Sequence, residues 1–389
     1  MKKGWEYKKL GEVCTLISDG SHNPPKGIDH SLYRMISSQN VFDDNLQITE
    51  DNVRYITESD HLCENKRTKL QKDVVLLTIV GTIGRSCVLK GNEGCLTLQR
   101  SVAALHPSDQ IMPRYLMHCL IGNRHTLNQE AHGIAQKGIY LKQLSSLSIP
   151  LPPKSTQLAI VSELDKINEL IRLKKEQLKD FDNLAQSLFY EMFGDPMENE
   201  KGWEVKKLEE IAKSAIGLTY KPENVTEELS GTVVLRSSNI QNSILDFNDI
   251  VRVNVLVKED KMVNDGDILM CSRNGSFRLV GKVALIKGLK ERMSYGAFMT
   301  IIRSPYNPYL FEYFKTPAFR QYLITGKTTT VNQITVKMLN NLTLPLPPLS
   351  LQRLFAQRIE QIEREKSEVQ KSIQDLETLL ASRMQYWFE

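Results

Sequence analysis

Little in the 389 residues suggests a covalent or metal-built framework. The six cysteines are Cys14, Cys63, Cys87, Cys95, Cys119 and Cys271, with no CxxC pair among them. Scattered thiols of this kind argue against a disulfide scaffold and fit a reducing compartment. The seven histidines (His22, His30, His61, His106, His118, His125 and His132) all precede residue 133. The spacings His61-x-Cys63 and His118-Cys119 match no common zinc pattern, so no metal is expected. No apolar run reaches the roughly 18 residues of a membrane span. The opening Met1-Lys2-Lys3-Gly4-Trp5-Glu6 lacks an apolar stretch behind its lysines, which argues against a secretory signal. A cytoplasmic location is therefore expected. Charge of one sign is also missing, since 50 Lys and Arg against 46 Asp and Glu leave +4. With 41% hydrophobic residues the chain can bury real cores, and wholesale disorder is excluded. At about 150 residues per domain, two or three domains are expected.

Motifs for catalysis are mostly wanting. Asn23-Pro24-Pro25-Lys26 looks like the Asn-Pro-Pro-aromatic loop of amino-methyltransferases, but Lys26 cannot stack on a target base and no glycine-rich cofactor loop precedes it. It reads as a turn. Gly326-Lys327-Thr328 ends like a phosphate-binding loop, yet Gln321 occupies the upstream glycine position. Gly81-Thr82-Ile83-Gly84 reads as a tight turn between strands. No catalytic residue is assigned.

What the chain does contain is written twice. Gly4-Trp5-Glu6-Tyr7-Lys8-Lys9-Leu10-Gly11-Glu12 returns as Gly202-Trp203-Glu204-Val205-Lys206-Lys207-Leu208-Glu209-Glu210. Ser38-Gln39-Asn40-Val41 echoes Ser237-Ser238-Asn239-Ile240, and Asp73-Val74-Val75-Leu76 echoes Asp267-Ile268-Leu269-Met270, with Gly81 and Gly275 following. Ile149-Pro150-Leu151-Pro152-Pro153 returns as Leu344-Pro345-Leu346-Pro347-Pro348. A near-constant offset over such a length means two similar domains, too long a period for a solenoid. Net charge follows the repeat: residues 1–154 and 196–349 are each +4, residues 155–195 are −3 and residues 350–389 are −1. Mildly basic blocks permit a polyanionic partner.

Each copy opens with a mixed α/β part. Strands are expected at Asp73–Val80, Cys87–Lys90, Leu98–Leu105, Thr232–Leu235, Asp267–Cys271 and Lys282–Ile286, and helices at Pro113–Arg124 and Asn307–Thr325. A long helix follows each double proline, with Ser155 and Ser350 as candidate N-caps. The first carries the stripe Ile160, Leu164, Ile167, Ile171, Leu178, Phe181, Ala185, Leu188, Met192; the second carries Phe355, Ile359, Ile362, Lys366, Val369, Ile373, Leu376, Leu380, Arg383, Trp387. Alternating steps of four and three are the coiled-coil pattern. Gly194 followed by Pro196 should stop the first helix. Connectivity then requires an antiparallel pair, giving a rod with a globule at each end about a pseudo-twofold axis. Two amphipathic helices each lying on its own globule are the simpler alternative.

The Gly-Trp-x-x-x-x-Leu openings, the Asp-Ile-Leu…Gly segment and the Leu-Pro-Pro exits before a long helix together resemble the specificity subunit of type I DNA restriction–modification enzymes. The resemblance covers essentially the whole chain. It implies an α+β protein with target recognition domains at 1–153 and 196–348 and spacer helices at 154–195 and 349–389. It further implies double-stranded DNA read as a split, asymmetric target, docking of two modification (methyltransferase) subunits, and restriction subunits in the full nuclease. The subunit itself would be non-catalytic and hold no cofactor, S-adenosylmethionine belonging to the partner. The acidic residue often found before the glutamine of Ser350-Leu351-Gln352 is missing in both copies.

DNA contacts should come from polar residues on loops, since Asn and Gln suit adenine edges and Arg suits guanine or phosphate. The candidates are Ser21, His22, Asn23, Gln39, Asn40, Arg85, Ser86, Gln99 and Arg100 in the first copy. In the second they are Lys221, Ser238, Asn239, Arg273, Asn274, Ser276 and Arg278. The rival reading is a non-enzymatic scaffold whose helices bind protein partners while its globules ignore DNA.

Overall fold

The computed structural model describes residues 4–131, 137–326 and 332–388. His132, Lys327 and Thr328 lie outside the described residues. The chain divides into two compact units, Met1–Lys175 with Lys371–Glu389, and Glu176–Gln370. Each unit therefore takes half of each long helix.

In the first unit a four-stranded antiparallel sheet has the order Cys14–Asp19, Val102–Pro107, Val75–Thr78, Ser86–Val88. A second sheet sets Tyr33–Ile36 between Arg54–Tyr55 and, in parallel, Cys95–Leu98. The second unit repeats this plan with Lys213–Ile216, Met299–Arg303, Ile268–Cys271 and Val283–Leu285 in one sheet. Its other sheet again holds a parallel pair, Thr232–Leu235 with Met293–Tyr295. The repeated opening and exit motifs turn out to be strand partners. Glu6 faces Leu151 in one unit and Glu204 faces Leu346 in the other. These two-stranded ribbons tolerate Pro150 and Pro345, which donate no ladder bond. The carbonyls of those prolines accept from Tyr115 Oη at 3.0 Å and Tyr309 Oη at 2.6 Å.

Two expected elements divide. Leu98–Leu105 becomes Cys95–Leu98 and Val102–Pro107, because residues 99–101 form a turn closed by Val102 N–H donating to Gln99 O. Asn307–Thr325 becomes Asn307–Tyr313 and Pro317–Thr325, since Pro317 cannot donate within a helix and instead starts a new one capped by Thr316.

The long helices span Lys154–Phe193 and Leu349–Phe388. They begin just ahead of Ser155 and Ser350, so those serines are not the caps. The backbone bonding of each helix opens at the proline ahead of it, Thr156 and Gln157 N–H donating to Pro153 O and Leu351 and Gln352 N–H to Pro348 O. Gly194 ends the first helix at φ 78°, a conformation that costs other residues more. Gln157 is buried and ties helix to globule, accepting from Met112 N–H and donating to Gln110 O and Pro152 O.

In the first unit Ile160 and Leu164 enter the globular core, and Leu380, Met384, Trp387 and Phe388 pack against the same cluster. Ile167, Ile171 and Ile373 are buried and Leu376 is half-buried. Arg383 pairs with Glu163, and Lys175 Nζ lies 2.8 Å from Glu377, so the two helix segments run antiparallel within this unit. In the second unit Leu188, Phe355, Ile362 and Val369 are buried, while Leu178, Phe181 and Ile359 are half-buried. There Lys366 Nζ bonds to Asp182 at 2.8 Å. The tryptophan of each repeated opening sits at a helix end: Trp5 stacks on Trp387 at 6.2 Å, and Trp203 Nε1 donates to Phe193 O at 2.8 Å.

Asp165 on the first long helix fastens the first unit. It accepts from Arg114 Nε at 2.5 Å and lies 2.8 Å from His118 Nε2, while Arg114 also forks onto Asp44. Burial pushes the Asp165 carboxyl up, but the His118 and Arg114 contacts outweigh it and hold the pKa at about 2. A depressed folded-state pKa means the stabilisation is present at neutral pH and is lost as pH falls from about 4 toward 2. Asp165→Asn should cost about 2 kcal/mol at pH 7. Thermal unfolding between pH 7 and 2.5 should show a lower Tm for the variant at neutral pH and a shallower acid limb. Parallel curves would rule this role out.

Candidate nucleic-acid interface

The chain leaves strand Cys14–Asp19 at Gly20, where a Cβ would lie 2.1 Å from Leu98 O. Only glycine permits this approach. Ser21 N–H donates to Leu98 O at 2.8 Å, Arg100 N–H donates to Ser21 O at 3.0 Å, and Ser21 bridges Gln99 in parallel. Gln99 N–H donates to Ile36 O at 2.8 Å, and Ser38 N–H to Ser101 Oγ at 3.0 Å. Segments 20–23, 37–40 and 99–101, which hold the first-copy candidates other than Arg85 and Ser86, thus form one rim. Asp19 is buried beneath it and binds both His22 Nε2, at 2.7 Å, and Arg67. His22, Asn23 and Arg100 are exposed, and Gln99 is half-buried.

The second unit builds the same rim. A Cβ on Gly217 would lie 2.2 Å from Tyr295 O. Leu218 N–H donates to Tyr295 O at 2.6 Å, and Gly296 N–H to Leu235 O at 2.9 Å. Ser272 and Arg273 N–H both donate to Phe298 O, at 2.9 and 3.1 Å, and Asn274 Nδ2 reaches Ser237 Oγ at 3.2 Å. Asn274 Oδ1 accepts from Ser276 N–H, which shapes the loop. Arg273 and Ser276 are exposed, and the Arg273 guanidinium lies 5.3 Å over the Phe298 ring.

Several expected contacts are corrected. Asn40 and Asn239 are 0% and 1% exposed, and their amides are spent on the backbone. Asn40 accepts from Ser37 N–H and donates to Gln47 O and Asn52 O; Asn239 accepts from Arg236 N–H and donates to Asp246 O and Asp249 O. They close turns and cannot read bases. Ser86 is buried with its hydroxyl on Leu76 O, Ser21 is buried with its hydroxyl on Glu64, and Ser238 Oγ is shielded from solvent. Gln39 is exposed, but its amide donates to Asn52 O.

Others sit apart from these rims in the bonding pattern. Arg85 immediately precedes strand Ser86–Val88, and its guanidinium lies 4.7 Å over the Phe42 ring. Its topological counterpart is Lys282, at the head of Val283–Leu285, whose Nζ donates to Ile240 O and whose pKa is lowered by burial. Lys221 pairs with Glu223. Arg278 lines a cleft of about 590 Å³ with Lys282, Lys315 and Arg320. Phe298 is not among the expected contacts, although the repeat places it beside them. Gln99-Arg100-Ser101 and Gly296-Ala297-Phe298 occupy the same turn between equivalent strands.

Among the described residues, no group of three His, Cys, Asp or Glu is placed to hold a metal ion. Among the same residues no helix is long and apolar enough to cross a membrane.

The family model described as "Type I restriction modification DNA specificity domain" matches residues 2–180 and again 200–378. The chain is 24% identical over 416 residues to the putative type I restriction enzyme MjaX specificity subunit of Methanocaldococcus jannaschii, covering 97% of this chain and 92% of that one. It is 27% identical over 167 residues to the type I restriction enzyme EcoKI specificity subunit of Escherichia coli K12, a match covering 41% of this chain and 36% of the relative. Among solved structures it resembles the S subunit of a type I restriction–modification system from M. genitalium, with TM-score 0.53, 13% identity and coverage of 99% and 96%. A chain from a structural study of type I system assembly and conformational transition gives TM-score 0.59 at 18% identity, covering 100% and 98%.

Proposed function

This chain belongs to the type I restriction–modification DNA specificity family, and we propose that it is the DNA-reading, non-catalytic subunit of such a system. In this reading each unit presses its rim against one half of a split double-stranded target. The halves differ because the rims carry different side chains, so the target is asymmetric. The two long helices act as an antiparallel coiled-coil spacer about a pseudo-twofold axis and set the gap between half-sites. The same chain docks two methyltransferase subunits, which bring S-adenosylmethionine, and restriction subunits join in the nuclease. The complex works in the cytoplasm.

The observation that carries this reading is the rim itself. One loop assembly is built twice on the same backbone bonds, yet matched positions carry different side chains: His22-Asn23 against Thr219-Tyr220, Arg100-Ser101 against Ala297-Phe298, and Val80 against Arg273. Conserved scaffolding under divergent tips is what two readers of different sequences require, since base edges are told apart by side-chain chemistry.

The test uses the chain assembled with its methyltransferase subunits. Arg273→Ala should weaken binding to cognate duplex by about tenfold, within the range of one good base contact, and leave random duplex nearly unchanged. Cognate binding should fall steeply with salt. Equal losses on both duplexes would assign Arg273 to the phosphate backbone. Binding indifferent to duplex and to salt would favour a protein scaffold.

A further inference from the structure

We propose that Phe298 makes the second unit selective for the C5-methyl group of a thymine, a specificity that the first unit's equivalent turn lacks. This rests on the DNA-reading function proposed above. A lone exposed apolar residue is ordinary on a soluble protein and signifies nothing by itself. Phe298 is 58% exposed, but its surroundings are built. Its carbonyl is pinned by two N–H groups, from Ser272 and Arg273. The turn that carries it is closed by Met299 N–H donating to Gly296 O at 2.9 Å. Gly217 presses on that turn too closely for any side chain. The ring therefore projects from a fixed backbone, with Arg273 laid across its face.

The repeat supplies the second observation. The corresponding turn in the first unit is Gln99-Arg100-Ser101, where Ser101 Oγ accepts from Ser38 N–H and Arg100 is exposed. The same backbone thus offers hydrogen-bonding tips in one copy and an apolar ring in the other. In the major groove the apolar feature distinguishing one base is the thymine methyl, which Phe contacts well. The stacked Arg273 places a donor fork beside the ring, suited to the O6 and N7 of a neighbouring guanine. An alternative use of an exposed ring, a wedge between base steps from the minor groove, would kink DNA without sensing the methyl.

The experiment uses the chain with its methyltransferase subunits and duplexes carrying the methylated motif. Each thymine of the half-site read by the second unit is replaced in turn by deoxyuridine, which lacks only the methyl. At one position the wild type should lose about fourfold in affinity, the value of one buried methyl-sized group. Phe298→Ala should bind thymine and uracil duplexes alike there, and Phe298→Leu should keep the preference, with Tm unchanged in both. A half-site without a specified A·T pair, or wild-type indifference to uracil throughout while cognate DNA still outcompetes scrambled DNA, overturns the proposal and leaves the DNA-reading function standing. An equal loss by Phe298→Ala on thymine and uracil duplexes assigns a wedge or backbone role and also overturns it. No preference for cognate over scrambled DNA overturns both.

Discussion

Gly20→Ala should abolish reading of the first half-site, and Gly217→Ala should abolish reading of the second. Each added Cβ would stand a little over 2 Å from a carbonyl oxygen at the end of the neighbouring strand, Leu98 O or Tyr295 O. Those atoms are backbone inside a sheet, so no rotamer change relieves the clash. The loop must lift away, breaking Ser21 N–H to Leu98 O in one unit or Leu218 N–H to Tyr295 O in the other. Overpacking of this kind costs about 1–3 kcal/mol. The functional loss should be larger than the stability loss suggests, because the displaced bonds are those that assemble the rim. We expect cognate binding by the complex to fall at least tenfold, with random-sequence binding and far-UV circular dichroism largely retained. The two variants should respond to scrambling of opposite half-sites. A variant that still discriminates its half-site would show that the rim is not the reader.

Inserting one heptad at matched positions in both long helices should lengthen the unspecified gap without altering either half-site. A heptad keeps the apolar stripe in phase, so the antiparallel contacts Glu163–Arg383 and Asp182–Lys366 can persist on either side of the insertion. Seven residues add about 10 Å of helix, equivalent to at most about three base pairs of duplex at its axial rise. The DNA groove turns over that distance while the heptad adds little rotation, so the variant should bind its new target more weakly than the parent binds its own. Sequencing of methylated sites would read both gap and half-sites. An unchanged gap would remove the spacer role from the helices.

The repeat made most of this architecture legible. Its opening and exit motifs lie far apart in sequence but pair as strands in each unit. Strand Thr232–Leu235 appears as the β-branched run implied. What escaped detection was local and polar. The turn at 99–101 contains neither glycine nor proline, so the apolar runs on both sides read as one strand. The second copy marks the same turn with Gly296. Asn40 and Asn239 have the chemistry of adenine readers, and nothing in composition distinguishes that role from closing a turn on backbone amides. Burial decided it. Heptad periodicity located the long helices but not their ends' fate, since Ile160, Leu164 and Phe355 serve globular cores as much as a helix seam.

The most direct measurement is the methylation motif written by the complex of this chain with its methyltransferase subunits, read by sequencing modified DNA. Two short specified blocks are expected, different from each other and separated by a fixed run of unspecified base pairs. A single contiguous motif, or a perfect palindrome, would contradict it.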